Sequence, residues 1–306
     1  VSTPAIPAET RPGDAHAATA PAPGGAACSR AAARIEELRA AGRPALVGYL
    51  PVGFPTPERS IEAVKAMVDA GVDVVELGIP YTDPVMDGPV IQRAAEQALA
   101  AGTRVADVFR VVRALAEHAP HVPVLVMTYW NPVLRYGVDA FARDLAAAGG
   151  AGLITPDLVP DEAAEWVAAA DAHGLDKVFL VAPSSTPERL RLTAAASRGF
   201  VYAASTMGVT GVRAQVGDRA ERLVADTRAA GAPRVCVGLG VSNGEQAAQV
   251  GAFADGVIVG SAFVRPLLTD EPWEQRLDAV RAVAADLAAG VARARAGHGA
   301  AAEERA

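Results

Sequence analysis

Eight times between residues 45 and 263 the chain repeats one figure. A short apolar run of strand length leads to a turn holding Gly, Pro or Asp, and then to an amphipathic stretch rich in Ala, Glu, Arg and Leu. The runs are ALVGYLPV from Ala45, DVVELGIP from Asp73, VPVLVMTYW from Val122, GGAGLITP from Gly149, KVFLVAPS from Lys177, FVYAAST from Phe200, RVCVGLGV from Arg234 and GVIVGSAF from Gly256. Alternating strands and helices imply a parallel sheet with right-handed crossovers, and eight such units close into a barrel. The predicted fold class is therefore α/β, a (β/α)8 TIM barrel. A doubly wound open sheet is the alternative, but ALVGYLPVGFP lacks the GxGxxG that a dinucleotide site needs after the first strand.

Two segments break the rhythm. SRAAARIEELRAAG, ahead of the first strand, is an extra N-terminal helix suited to covering the N-terminal end of the barrel. GPVIQRAAEQALAAG is an inserted helix after strand two, on the loop side where barrels carry their catalytic groups. Residues 1–28 are rich in Ala, Pro and Gly without apolar periodicity, the composition of a disordered tail. A single catalytic domain is expected over 29–292 and a flexible tail over 293–306.

With 28 Lys and Arg against 35 Asp and Glu the chain is acidic, which argues against a nucleic-acid partner, and no apolar run reaches the length of a membrane span. Cys28 and Cys236 are too far apart in sequence to suggest a disulfide framework or a zinc site, so a reducing cytoplasm is the simplest home. None of the five histidines falls in an expected strand, and no metal site is predicted.

Glycine turns follow the last three strands: MGVTG at 207–211, GLGVSN at 238–243 and GSAF at 260–263. Glycine lets backbone N–H groups approach an anion closely, and barrels often bind phosphate on the loops after strands seven and eight. With Ser242 and Ser261 beside these glycines, the expected ligand is a phosphorylated small molecule.

The second strand poses the sharpest chemical question. Alternation places Val74, Glu76 and Gly78 on one face of VVELGIP and the large apolar Val75, Leu77 and Ile79 on the other, so Glu76 faces the barrel interior. A carboxyl in an apolar surround has its pKa raised toward the range useful for proton transfer near neutrality. A structural ion pair is the competing explanation, but the other strands offer no obvious interior cation. Asp87, in a DG turn, is by itself ordinary turn chemistry.

VELGIPYTDPVMDG matches the signature of the tryptophan synthase alpha chain, and the resemblance runs through LVGYLPVGFP, MTYWNP, GGAGLITPDLVP, VAPSS, GFVYAASTMGVTG and VCVGLGVSN to ADGVIVGSAFV. It covers nearly all of the chain outside the two tails. The resemblance implies a lyase of tryptophan biosynthesis that cleaves indole-3-glycerol phosphate to indole and glyceraldehyde 3-phosphate. By the same resemblance Glu76 is the general acid/base and Asp87 holds the indole N–H. Tyr202 lies near the glutamate, Tyr49, Met127 and Tyr129 line the indole pocket, and Thr210 helps to close a lid. Phosphate is held by Gly211, Gly240, Gly260 and Ser261.

The resemblance also implies a beta chain as partner in an alpha2beta2 tetramer, with pyridoxal phosphate carried by the beta chain and no cofactor in this one. Asp83, Asn131 and Pro132 are expected at that interface. The sequence departs from many relatives after strand six, where Thr206 and Met207 stand in place of an arginine, leaving the lid's contacts open. A stand-alone lyase releasing free indole, a catalytically silent phosphate-binding barrel, and another sugar-phosphate barrel enzyme are the alternatives.

Overall fold

The computed structural model describes residues 29–205 and 213–294. All eight runs form strands: β1 Ala45–Pro51, β2 Val74–Gly78, β3 Val124–Met127, β4 Gly152–Thr155, β5 Asp176–Val181, β6 Val201–Ala204, β7 Val235–Gly238 and β8 Gly256–Val259. Each pairs in parallel with the next, and β1 pairs with β8, so the sheet closes in sequence order. The expected inserted helix is Pro89–Ala100, and the helix expected from about Thr103 is Asp107–His118. The last described helix, Trp273–Arg293, runs one residue beyond the boundary expected at 292. Among the described residues no helix is long and apolar enough to cross a membrane.

Helix starts follow local chemistry. The tetrapeptide TPER occurs after β1 and again after β5, and both copies start a helix in the same way. Thr56 accepts from the Arg59 N–H at 3.2 Å and Thr186 from that of Arg189 at 3.3 Å, with Pro57 and Pro187 in the first turn.

The barrel interior is built in layers. Val47, Val74, Leu125, Val178, Phe200, Cys236 and Ile258 form an apolar layer that Ala31, Ile35 and Leu38 of the N-terminal helix Arg30–Ala40 plug from below. This is the role expected of that helix. Buried aspartates brace the lower rim. Asp73 takes two hydrogen bonds from Arg43, at 2.6 and 2.7 Å, one from Arg34 at 3.0 Å and one from the Leu46 N–H. Asp176 accepts from Ala31 in the plug helix, and Asp255 accepts from the Val235 N–H and from Arg228. Charge-assisted bonds of this kind fix the base on which the upper layer stands.

Candidate active site

Two residues further along, on every strand but β4, alternation returns a residue to the interior. Tyr49, Glu76, Met127, Leu180, Tyr202, Gly238 and Gly260 stand there, and all line one cavity of about 380 Å3 at the C-terminal face, together with Asp87, Gly240 and Ser261. The floor is thus the apolar layer, and the reactive groups form the first layer open to ligand.

Glu76 is fully buried, and among the described residues neither carboxyl oxygen has a hydrogen-bond partner. Its outward neighbours Val75, Leu77 and Ile79 belong to the core between sheet and helices, as alternation requires. Burial, with no compensating cation among the described residues, pushes the Glu76 pKa up to about 8. Near neutral pH the group is largely a neutral acid, able to give a proton and afterwards to take one back. An uncompensated charge there would be costly, which excludes a purely structural ion pair with any described residue.

Two phenols flank the acid in matching ways. Tyr49 is the register partner of Glu76, and its hydroxyl lies over Gly78, where any Cβ would overlap it. Tyr202 is the register partner of Cys236, and its hydroxyl lies over Gly238, two residues further along that strand. In both places the strand-ending glycine makes room for a phenol from the preceding strand. Burial, followed by nearby carboxylates, pushes both phenols well above their ordinary range, so both remain protonated donors.

Asp87 comes from the loop after β2 and is half-buried. Its backbone oxygen accepts from Gln92 Nε2 at 2.8 Å, tying it to the helix that starts at Pro89. Burial pushes its carboxyl up, and the neighbouring Tyr129 hydroxyl pulls it back toward ionisation. Tyr129 does not line the cavity as expected. It is buried behind the loop, its hydroxyl accepts from the Met86 N–H at 2.9 Å, and its ring packs on Tyr81 at 5.2 Å.

At the other end of the cavity, Gly240 has a φ of 68°, a conformation open to glycine and strained for other residues. Gly260 precedes the short helix Ser261–Val264. Ser242 is not part of this wall, since its N–H and hydroxyl are both committed to Gln246 Oε1 at 2.8 and 3.0 Å. Thr206, Met207, Thr210 and Gly211 lie outside the described residues. Leu180 and Ile258 also line the cavity and follow from strand alternation; Ile91, from the inserted helix, had no such signal.

The family model for the tryptophan synthase alpha chain matches residues 35–292. The chain belongs to that family. The Thermobifida fusca tryptophan synthase alpha chain is 60% identical over 262 residues, covering 84% of this chain and 96% of its own length. A structure of Mycobacterium tuberculosis tryptophan synthase is similar with a TM-score of 0.79 at 56% identity, covering 86% of this chain and 98% of that one. The Legionella pneumophila tryptophan synthase subunit alpha has a TM-score of 0.79 at 33% identity, covering 87% and 99%. As a tryptophan synthase alpha chain family member, the protein is a lyase of tryptophan biosynthesis that works with a beta chain.

On this alpha-chain barrel, two of the three residues expected at the partner surface are exposed. Asp83 accepts from its neighbour Thr82 at 2.5 Å, and Asn131 reaches the Tyr81 hydroxyl at 3.4 Å. Pro132 is buried inside its turn. Around them Val85, 81% exposed, and the exposed Met86, Leu134 and Val159 come from the loops after β2, β3 and β4 on the cavity's own face of the barrel. Among the described residues, no cluster of His, Cys, Asp and Glu is arranged to hold a metal ion.

Proposed function

We propose that the cavity takes indole-3-glycerol phosphate and cleaves it by retro-aldol chemistry, with Glu76 as general acid and base and Asp87 as the anchor of the indole nitrogen. The observation that carries this reading is a fully buried Glu76, without a hydrogen-bond partner among the described residues and held near pKa 8, in the same cavity as Asp87. Neutral Glu76 gives its proton to indole C3, and the positive charge that develops on the ring nitrogen is stabilised by the Asp87 carboxylate. The Glu76 carboxylate then removes the proton of the glycerol hydroxyl next to the ring. The C–C bond breaks, its electron pair restores the indole, and the former hydroxyl oxygen becomes the aldehyde of glyceraldehyde 3-phosphate. Glu76 ends protonated, as it began.

Tyr49 and Met127 bound the indole ring in this reading, with Tyr202 beside the acid. Tyr129 acts from behind as a support of Asp87. Gly211, Gly240, Gly260 and Ser261 hold the phosphate, and Thr210 closes the site. Asp83, Asn131 and the exposed apolar residues around them meet a beta chain in an alpha2beta2 tetramer. Pyridoxal phosphate belongs to that beta chain, and this chain works without a cofactor of its own. The cytoplasm is the compartment we assign.

The test is Glu76→Gln, which keeps shape and removes the titrating proton. Cleavage should fall by roughly a thousandfold or more, a loss typical of removing a general acid/base. Binding of inorganic phosphate should persist. Retained cleavage would refute the role given to Glu76.

A further inference from the structure

The short helix Trp130–Tyr136 begins without a cap of its own, because its N-cap residue is Tyr129, whose side chain makes no capping bond. The cap comes from elsewhere. Asp157, in the loop after β4, takes the Trp130 N–H between its two carboxylate oxygens at 2.9 and 3.1 Å, across 27 residues of sequence. Fixing Trp130 fixes Tyr129, whose hydroxyl in turn accepts from the Met86 N–H at 2.9 Å, one residue before Asp87. The rings of Tyr129 and Tyr81 pack at 5.2 Å, and Asn131 Nδ2 donates to the Tyr81 hydroxyl at 3.4 Å, so the contact between the two loops is doubled.

Three successive loops are therefore joined in series: β4 through Asp157, β3 through Tyr129 and Trp130, and β2 through Met86 and Asp87. We propose that Asp157 is a positioning residue for Asp87, acting through the Tyr129 turn. The inference rests on the reaction assigned to this cavity. Asp157 is itself exposed and is not part of the cavity wall, so its influence on the reaction is indirect. Val159, two residues on, and Leu134, on the helix that Asp157 caps, are exposed apolar groups on these same loops, and Val85 and Met86 adjoin Asp87. A protein seated on that surface would press on the loops that set the position of Asp87.

The consequence is a particular kinetic pattern. Asp87 acts on charge that develops at the ring nitrogen during reaction, so a displaced Asp87 lowers kcat more than it weakens substrate binding. In the full chain with a beta chain present, Asp157→Ala should lower kcat for indole release about tenfold with KM within about twofold. Asp157→Asn, which keeps one acceptor oxygen, should restore most of the rate. In an Asp87→Ala background Asp157→Ala should cost nothing further, because the two residues act as one unit.

Amide hydrogen exchange supplies a readout independent of turnover. Asp157→Ala should speed exchange at Trp130 and also at Met86. Faster exchange at Trp130 alone, or a full additive loss of kcat in the Asp87→Ala background, would overturn the proposal. Coupled exchange in a wild-type chain that fails to cleave indole-3-glycerol phosphate would leave the connection between the loops standing and bring down the reaction instead.

Discussion

Tyr49 and Glu76 face each other across one rung of the β1–β2 ladder, and both line the cavity at the C-terminal face. The next inward-facing rung below holds Val47 and Val74 in the apolar layer, so the carboxyl rests on hydrocarbon and has no hydrogen-bond partner among the described residues. Its raised pKa follows from that placement, and so do two consequences for pH.

The first concerns stability. Unfolded, Glu76 ionises near the ordinary carboxylate pKa; folded, it ionises only near 8. Between those values the folded state binds more protons than the unfolded one, so this group lowers stability as pH rises, and the loss is complete above 8. The full penalty is bounded by about 5 kcal/mol. Glu76→Gln should therefore raise the unfolding temperature at pH 8.5, and the gain should shrink steadily toward pH 5. Thermal melts of both proteins across that range measure it, and a gain independent of pH would contradict the assigned pKa.

The second concerns rate. A reaction that starts from neutral Glu76 loses its acid as pH passes about 8, so kcat/KM should fall with unit slope on the alkaline side. Stopped assays of indole release between pH 6 and 10 would show the limb; a flat profile through pH 9 would argue that the proton comes from another group.

Gly78 is predicted to be intolerant of even one methyl group. A Cβ there would overlap the Tyr49 hydroxyl, and the ring atoms behind it would meet the same methyl, so the whole ring has to move. Gly78→Ala should cost about 1–3 kcal/mol in stability, as overpacking does. It should also raise KM by pushing Tyr49 into the indole space. Denaturant unfolding and steady-state kinetics test the two effects separately.

Val85 offers the cleanest probe of the partner surface, since it is 81% exposed and makes little contribution to the core. Val85→Glu should leave folding stability within about 0.5 kcal/mol, as surface changes do. It should weaken beta-chain binding about tenfold or more by placing a charge where the partner seats. Titration calorimetry against a purified beta chain measures this directly.

How much of this was legible in sequence depended on whether the cause was local. Short continuous apolar runs placed all eight strands, because a strand buried on both faces is apolar along its length, and the large apolar residues on either side of Glu76 pointed it inward. The TPER caps are equally local. Asp87 carried no such trace: a DG turn looks the same whether or not a carboxylate is aimed at a ligand, and only the resemblance singled it out. Tyr129 was expected in the pocket wall but stands behind it, at the start of the helix Trp130–Tyr136. The cap that sets this turn is Asp157, brought in from the next loop by the closed barrel, and no pattern within YWNP announces it. The space over Gly78 and Gly238 is likewise taken by tyrosines from neighbouring strands.

The most direct measurement is indole release from indole-3-glycerol phosphate by the purified chain, with and without a beta chain, for wild type and Glu76→Gln side by side. Wild type should release indole slowly alone and much faster with the partner, and Glu76→Gln should do neither while still binding phosphate. Equal release by the two proteins would show that the buried carboxyl at the centre of this cavity is not its acid.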